Sequence, residues 1–361
     1  MDPAELEAAI AEAPDDPEPY LVYADWLQAS GDPRGTLIVL QHHGRDREAD
    51  ALIEEHRAHF LGALAAFAPP GGEGRRTAER KLELSWHLGF IREARIGWPP
   101  YGRGQARREA VEAVEALLAL PSSRFLRHLA IESVPAAGGA PDFRPFLDAI
   151  AGAARPPPLR SLFVGRSGAS WTIGPIGGLL RACPELRHLT LRGGALSLGE
   201  LHHPALRAFG IESQHLSRQN LVDLRAASWP RLERLELSFH ARERPPECDA
   251  ADLAALLGGD NLPSLRHLGV LACPFADDLA RALARSPLLP RLHGLDLSGG
   301  ALTHAGVAAM ARSRLAFSHL AQLELAHNQL DDAARATARG LAKHVHVGLQ
   351  EPPPPPPEDD A

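Results

Sequence analysis

The chain has 361 residues, more than one ordinary domain holds unless a repeat array absorbs the excess, and enough to bury a sizeable core. Hydrophobic residues make up 45% and aromatics only 5%, so Leu, Ala, Ile and Val must fill that core. A net charge of -7 with no aromatic-interleaved basic stripe argues against nucleic acid as a partner, and no run of about 18 apolar residues argues against a membrane-spanning helix.

The charge is uneven. Residues 1–60 carry 14 acidic and 4 basic side chains, or -10, whereas 61–350 carry 27 and 34, or +7. Met1 to Ala13 is acidic and amphipathic, unlike a secretory signal. Cys183, Cys248 and Cys273 are odd in number and lie 65 and 25 residues apart, which suits neither a disulfide framework nor a zinc site. The expected compartment is a reducing cytoplasm.

In chain order, Asp2-Pro3-Ala4-Glu5 predicts an N-cap, a proline at the first helical position and a capping box, with a helix to about Glu12. Asp16-Pro17 starts a second helix, whose face carries Tyr20, Tyr23, Ala24 and Leu27 and which Gly31 stops. Asp32-Pro33 caps a third, bearing Leu37, Ile38 and Leu40, and a further helical pattern runs from Asp46 to Phe67. Asp25 and Arg34 are expected to pair across the turn and Trp26 to enter the core.

Leu21-Val22-Tyr23-Ala24-Asp25-Trp26-Leu27, Gly31-Asp32-Pro33-Arg34-Gly35 and Leu40-Gln41 together resemble the bacterial repeat-companion domain, over residues 1–42. That family is an N-terminal module usually followed by leucine-rich repeats. Thr36 stands where many members have an acid. The resemblance implies no activity.

From there a Leu-x-x-Leu-x-Leu pattern recurs with conservative replacements. Its copies are Leu126-Leu129-Ile131, Leu159-Leu162-Val164, Leu186-Leu189-Leu191, Leu206-Phe209-Ile211, Leu232-Leu235-Leu237, Leu265-Leu268-Val270, Leu292-Leu295-Leu297 and Leu320-Leu323-Leu325. Ile91-Ala94-Ile96 opens the series and Val345-Val347-Leu349 closes it. Helical patterns lie between most copies, at 110–118, 143–151, 216–226, 250–257, 277–284, 304–312 and 331–343.

Such a unit is too short to bury its own apolar face, so neighbours must stack. Strands about 4.8 Å apart beside helices about 10 Å wide imply a bend with the sheet on the inside. The expected fold is therefore an α/β leucine-rich-repeat solenoid, a horseshoe with a concave parallel sheet and outer helices, joined to a small all-α domain. The expected boundaries are 1–68 for the helical domain, 80–350 for the repeats and 351–361 for a tail. The repeats resemble the ribonuclease-inhibitor type. Eight residues after the first leucine that type places a buried Asn or Cys, and here only Cys273 and Asn328 conform, against Val134, Ser167, Gly194, Gln214, His240 and Gly300. The loops are expected to be less regular than in the family.

Side chains flanking the second and third apolar positions face the concave side. Phe163, His188, Thr190, Arg192, Glu212, Arg234, Glu236, His267, Leu271, Asp296 and Glu324 form the candidate protein-binding surface, a mixture of charges with Phe163 and Leu271 as apolar anchors. The histidines come from separate repeats, and His344-Val345-His346 lacks a third ligand, so neither set is a metal site. With Lys81 and Lys343 the only lysines, neither in a Gly-rich loop, a P-loop is absent, as are His-Glu-x-x-His and Gly-x-Ser-x-Gly.

No cofactor or enzymatic activity is expected. The alternative is an effector or regulatory enzyme whose active site is dispersed over repeat loops. Pro352 to Pro357, followed by acids, predicts an extended polyproline helix, a docking peptide for a groove-binding domain or a disordered end.

Overall fold

The computed structural model describes residues 2–68, 81–97, 104–133, 142–155, 157–166, 171–239 and 247–351. The chain forms two compact units, Met1–Gly165 with Gly178–Leu186, and Arg166–Gly177 with Arg187–Ala361. The Pro352–Pro357 run lies outside the described residues.

The first unit begins with α1 (Pro3–Glu12), α2 (Pro17–Ala29) and α3 (Pro33–His42). Each starts alike: Asp2, Asp16 and Asp32 accept a backbone N–H, and a proline occupies the first helical position, where its missing N–H leaves nothing unsatisfied. The predicted helix over 46–67 is interrupted at His56, giving α4 (Asp46–Glu55), α5 (Arg57–Leu61) and a 3-10 turn at Gly62–Ala66; Gly62, at φ +47°, ends α5.

The Gly31-Asp32-Pro33-Arg34-Gly35 motif acquires a physical meaning. Gly31 has φ +74°, open to glycine without strain. A Cβ on Gly35 would stand 2.6 Å from the Ala24 carbonyl oxygen, so α2 and α3 cross this closely only over glycine. Arg34 does not pair with Asp25, which is exposed; its side chain is buried, and Nη1 donates to the Gly89 carbonyl at 2.6 Å while Nη2 donates to Ser122 Oγ at 3.0 Å. The guanidinium also sits 4.9 Å from the Phe90 ring centre. Trp26 likewise departs from expectation: it is half-buried, stacked on Tyr23 at the edge of the core.

Gly89 closes a hairpin that the periodicity did not predict, β1 (Lys81–His87) antiparallel to β2 (Phe90–Gly97). Leu88 and Gly89, at φ 44° and 84°, make the two-residue turn. Gln41 accepts the Gly89 N–H at 2.7 Å, so both polar groups of that residue are held by α3. Leu6, Ile10, Tyr20, Tyr23, Leu27 and Ile38 share one apolar cluster with Leu88, Phe90 and Phe125.

The unit continues with α6 (Gly104–Ala119), β3 (His128–Ser133), α7 (Arg144–Ala151), β4 (Ser161–Gly165) and α8 (Gly177–Ala182). Strands β2, β3 and β4 are parallel, with Ala94, Leu129 and Leu162 in one row and Ile96, Ile131 and Val164 in the next.

The second unit holds β5 (Thr172–Ile173), β6 (His188–Leu196), β7 (Ala208–His215), α9 (Arg218–Ala226), β8 (Arg234–Phe239), α10 (Ala250–Leu256) and β9 (His267–Leu271). It then adds α11 (Ala276–Leu283), β10 (Gly294–Asp296), α12 (His304–Arg312), α13 (Arg314–Phe317), β11 (Gln322–Glu324), α14 (Asp332–Ala338) and β12 (His344–His346). From β6 to β12 the strands are parallel neighbours in chain order, and β5 pairs with β6. Leu189, Phe209, Leu235, Leu268, Leu295, Leu323 and Val345 lie in one register row, all buried except the half-buried Val345 on the last strand.

The seven predicted helices all form, though α6 starts earlier and α14 ends sooner than the pattern suggested; α8 and α13 were not predicted. The architecture is a repeating strand-and-helix α/β fold with mostly parallel sheets and outer helices.

Asn328 does what its column predicts: Nδ2 donates to the Leu297 and Leu325 carbonyls at 2.8 and 3.1 Å, and Oδ1 accepts from Leu302 N–H at 3.1 Å. Gly300 breaks the column for a steric reason, since a Cβ there would stand 2.7 Å from the Cys273 carbonyl oxygen. Elsewhere other side chains substitute. The buried Ser213 hydroxyl donates to the Gly194 carbonyl at 3.0 Å, and Asp277 accepts both Thr303 N–H at 2.8 Å and Thr303 Oγ1–H at 2.6 Å. Val134, Ser167 and His240 lie outside the described residues.

Arg34→Ala is expected to destabilise the chain by about 3 kcal/mol, because it leaves the Gly89 carbonyl and Ser122 without a buried donor and opens a cavity beside Phe90. Arg34→Lys should lose about half of that, having one ammonium for two separated acceptors. Thermal unfolding of the full-length variants, followed by circular dichroism, measures both.

Candidate functional site

The open face of the second unit's sheet is built from residues that alternate with the buried leucines. One register row contains His188, Ala208, Arg234, His267, Gly294, Gln322 and His344. The next contains Thr190, Gly210, Glu236, Gly269, Asp296, Glu324 and His346, and a third Arg192, Glu212, Ser238 and Leu271. Phe163 belongs to the first unit, half-buried on β4 beside Ala130. Leu271 is also half-buried, so neither expected anchor is fully exposed.

Five of the predicted residues, Arg234, Glu236, His267, Asp296 and Glu324, line one cleft of about 540 Å³. Gln322, Lys343, His344 and His346 complete it. Gly269 and Gly294 form part of its floor, and the long side chains lie over them. A Cβ on Gly269 would meet Glu236 Cγ at 3.1 Å, and one on Gly294 would meet His267 Cδ2 at 2.7 Å. The alternation of glycine with charged residues therefore makes the hollow. The other predicted residues, His188, Thr190, Arg192 and Glu212, lie on the same face but do not line the cleft.

Most charges on this face are already paired. Arg192 Nη2 donates to Glu212 Oε1 at 2.6 Å across β6 and β7, and Arg234 Nε donates to Glu236 Oε1 at 2.7 Å. Glu324 lies 2.7 Å from His346 Nδ1. Such exposed pairs contribute little to stability and exchange readily for other partners. Asp296 differs. Its carboxylate accepts the Ser298 N–H at 2.9 Å but forms no ion pair among the described residues. Burial pushes its pKa up, the hydrogen bonds from Ser298 pull it part of the way back, and Glu324 and Glu236 add to the rise. His267 is shifted down by burial, then by Arg234 and His293, which favours its neutral form.

Among the described residues no group of three His, Cys, Asp or Glu side chains is placed to hold a metal ion, and no helix is long and apolar enough to cross a membrane. All three cysteines are buried. Burial raises Cys183 and Cys273 to about 12 and Cys248 to about 11, which keeps each a thiol at neutral pH.

No family model matches this sequence, and no curated protein matches it either. A Bacteroides fragilis protein of known crystal structure is similar in fold, with a TM-score of 0.60, over 70% of this chain and 75% of that chain, at 21% identity. At that identity the likeness speaks for the fold alone.

Two outcomes follow from the protonation chemistry. Asp296→Asn is expected to raise stability by about 1 kcal/mol at neutral pH, since a group whose folded pKa is raised favours folding while protonated and loses that advantage as pH rises. The gain should vanish below about pH 3.8, where the carboxyl is protonated in the unfolded chain as well. Denaturant titration of wild type and variant at both pH values measures it. Separately, iodoacetamide at pH 8 should leave Cys183, Cys248 and Cys273 unmodified in the folded chain and alkylate all three in guanidinium; rapid labelling of the native protein would contradict their assigned state.

Proposed function

We propose that this chain is a noncatalytic recognition module that binds a protein partner on the open face of its second unit's sheet, around the Asp296 cleft. In this reading the repeats are leucine-rich repeats of the ribonuclease-inhibitor type, and the N-terminal helices are a repeat-companion module.

The observation that supports the reading is the cleft itself. It is a hollow of about 540 Å³ crossing five adjacent strands, with a glycine floor and walls of mixed charge. Solenoids generally act through broad preformed surfaces of this kind, which need no ordering of loops before contact. Asp296 sets the polarity of the partner. A half-buried carboxylate that forms no ion pair among the described residues is stabilised by a cation brought from outside, so an arginine or lysine of the partner is the group suited to stand over it. Arg234, Glu236, Glu324 and His346 form the polar rim.

The test uses the exchange variant Arg234→Glu with Glu236→Arg, which keeps an ion pair on β8 while reversing its direction, together with Asp296→Lys. Affinity capture from native lysate followed by cross-linking is expected to give a partner whose cross-links fall on residues 188–346 and whose recovery drops at least about tenfold with either variant. Unchanged recovery from correctly folded variants would reject this face.

A further inference from the structure

A second cavity lies away from that face. It is a cleft of about 840 Å³ in the first unit, between the C-terminal ends of α6 and α7. Leu118, Leu120, Pro121, Pro145 and Pro157 give it apolar walls.

Two polar groups in its lining have no partner. Ser123 is only 6% exposed, and its hydroxyl, shielded from solvent, makes no hydrogen bond. Its neighbour Ser122 has the opposite fate, bridging Arg34 and the Phe60 carbonyl. The second group is the Nε–H of Arg124, also buried and unpartnered, although the far end of that guanidinium pairs with Glu7. A buried polar group without a partner costs about 1–3 kcal/mol, so two in one lining favour a ligand that satisfies both.

The electrostatics define that ligand. Arg124 Nε–H can only donate, the Ser123 hydroxyl can donate as well as accept, and Arg155, exposed at the cleft, adds a second guanidinium close enough to lower the Arg124 pKa. Glu115 and Asp148 also line the cleft, but both are exposed. The inner wall therefore selects an anionic oxygen, the outer carboxylates disfavour a doubly charged group, and the proline and leucine walls select an apolar body.

We propose that this cleft binds a monovalent organic carboxylate carried on an apolar body, with the Ser123 hydroxyl and Arg124 Nε–H, both hidden behind the wall in the free chain, turning into the cleft to donate to its oxygens and Arg155 adding long-range attraction. Two sources offer that chemistry, a small organic acid and the C-terminal carboxylate of a peptide ending in an apolar residue.

The test is a titration of the isotopically labelled full-length chain with 4-phenylbutyrate and with acetyl-Ala-Ala-Phe, each beside its neutral amide, read from the backbone amide shifts of residues 118–124 and 152–155. One or both carboxylates are expected to produce saturable shifts there while the amides do not, and which of the two binds tells the sources apart. Ser123→Ala should weaken binding about tenfold while leaving the thermal midpoint unchanged or higher, because the hydroxyl it removes supports nothing in the free protein. Arg155→Gln should weaken binding less, and only at low salt. The proposal fails if neither carboxylate gives saturable shifts, if the amides bind as well as the acids, or if Ser123→Ala binds like wild type.

Discussion

Gly89 is held from both sides, its N–H by Gln41 and its carbonyl by the buried Arg34, and the start of the sheet depends on that grip. A stack of short strand-and-helix units has an intrinsic weakness at its ends, where no neighbour covers the apolar face. Here the first strands are closed by the hairpin of β1 and β2, whose turn is pinned between α3 and the apolar cluster of α1 and α2. Glycine is required at the pinned position twice over: its φ of 84° strains any other residue, and a Cβ would press on Ile38 Cγ1 at 2.6 Å. Burying an arginine without a carboxylate partner is costly, and it is offset here by two short hydrogen bonds and aromatic faces.

Once an end is closed, the leucine rows propagate the rest. Parallel pairing keeps Leu235, Leu268, Leu295 and Leu323 in register, and that register fixes which residues face outward. The outward residues are then free of structural duty, apart from the glycines that let long side chains lie flat. The functional reading rests on this division: the leucines and the loop bonds of Asn328 and Asp277 stabilise the stack, while the charged groups over Gly269 and Gly294 mostly pair with each other and can re-pair with a partner.

The repeat pattern was legible because it is strictly local. Leucines at fixed offsets declared the strands from β3 onward except β5, and Asp-Pro pairs declared the starts of α1, α2 and α3. What escaped depends on distance in sequence. Arg34 looked like a partner for Asp25 nine residues away, yet its acceptors are Gly89 and Ser122, brought to it only by the tertiary fold. The hairpin escaped because Leu88-Gly89 is a weak turn signal beside Asn-Gly or Asp-Gly. The face residues could be read from alternation, but their gathering into a cleft could not, since it depends on which neighbours are glycine. Lys343, His344 and His346 joined it through the register of β11 with β12. The Ser123 hydroxyl carried no sequence signal at all; one of two adjacent serines is bonded and the other is not.

Native-state hydrogen exchange on the full-length chain tests most directly whether the helices and the first strands stand or fall together. The amides of Leu37 and Ile38 in α3 and those of Ile91 and Ala94 in β2 are expected to open with the same free energy, within about 1 kcal/mol, and Arg34→Ala to lower both sets equally. Helices that exchange through a separate, much lower-energy opening while β2 and β3 stay protected would contradict it.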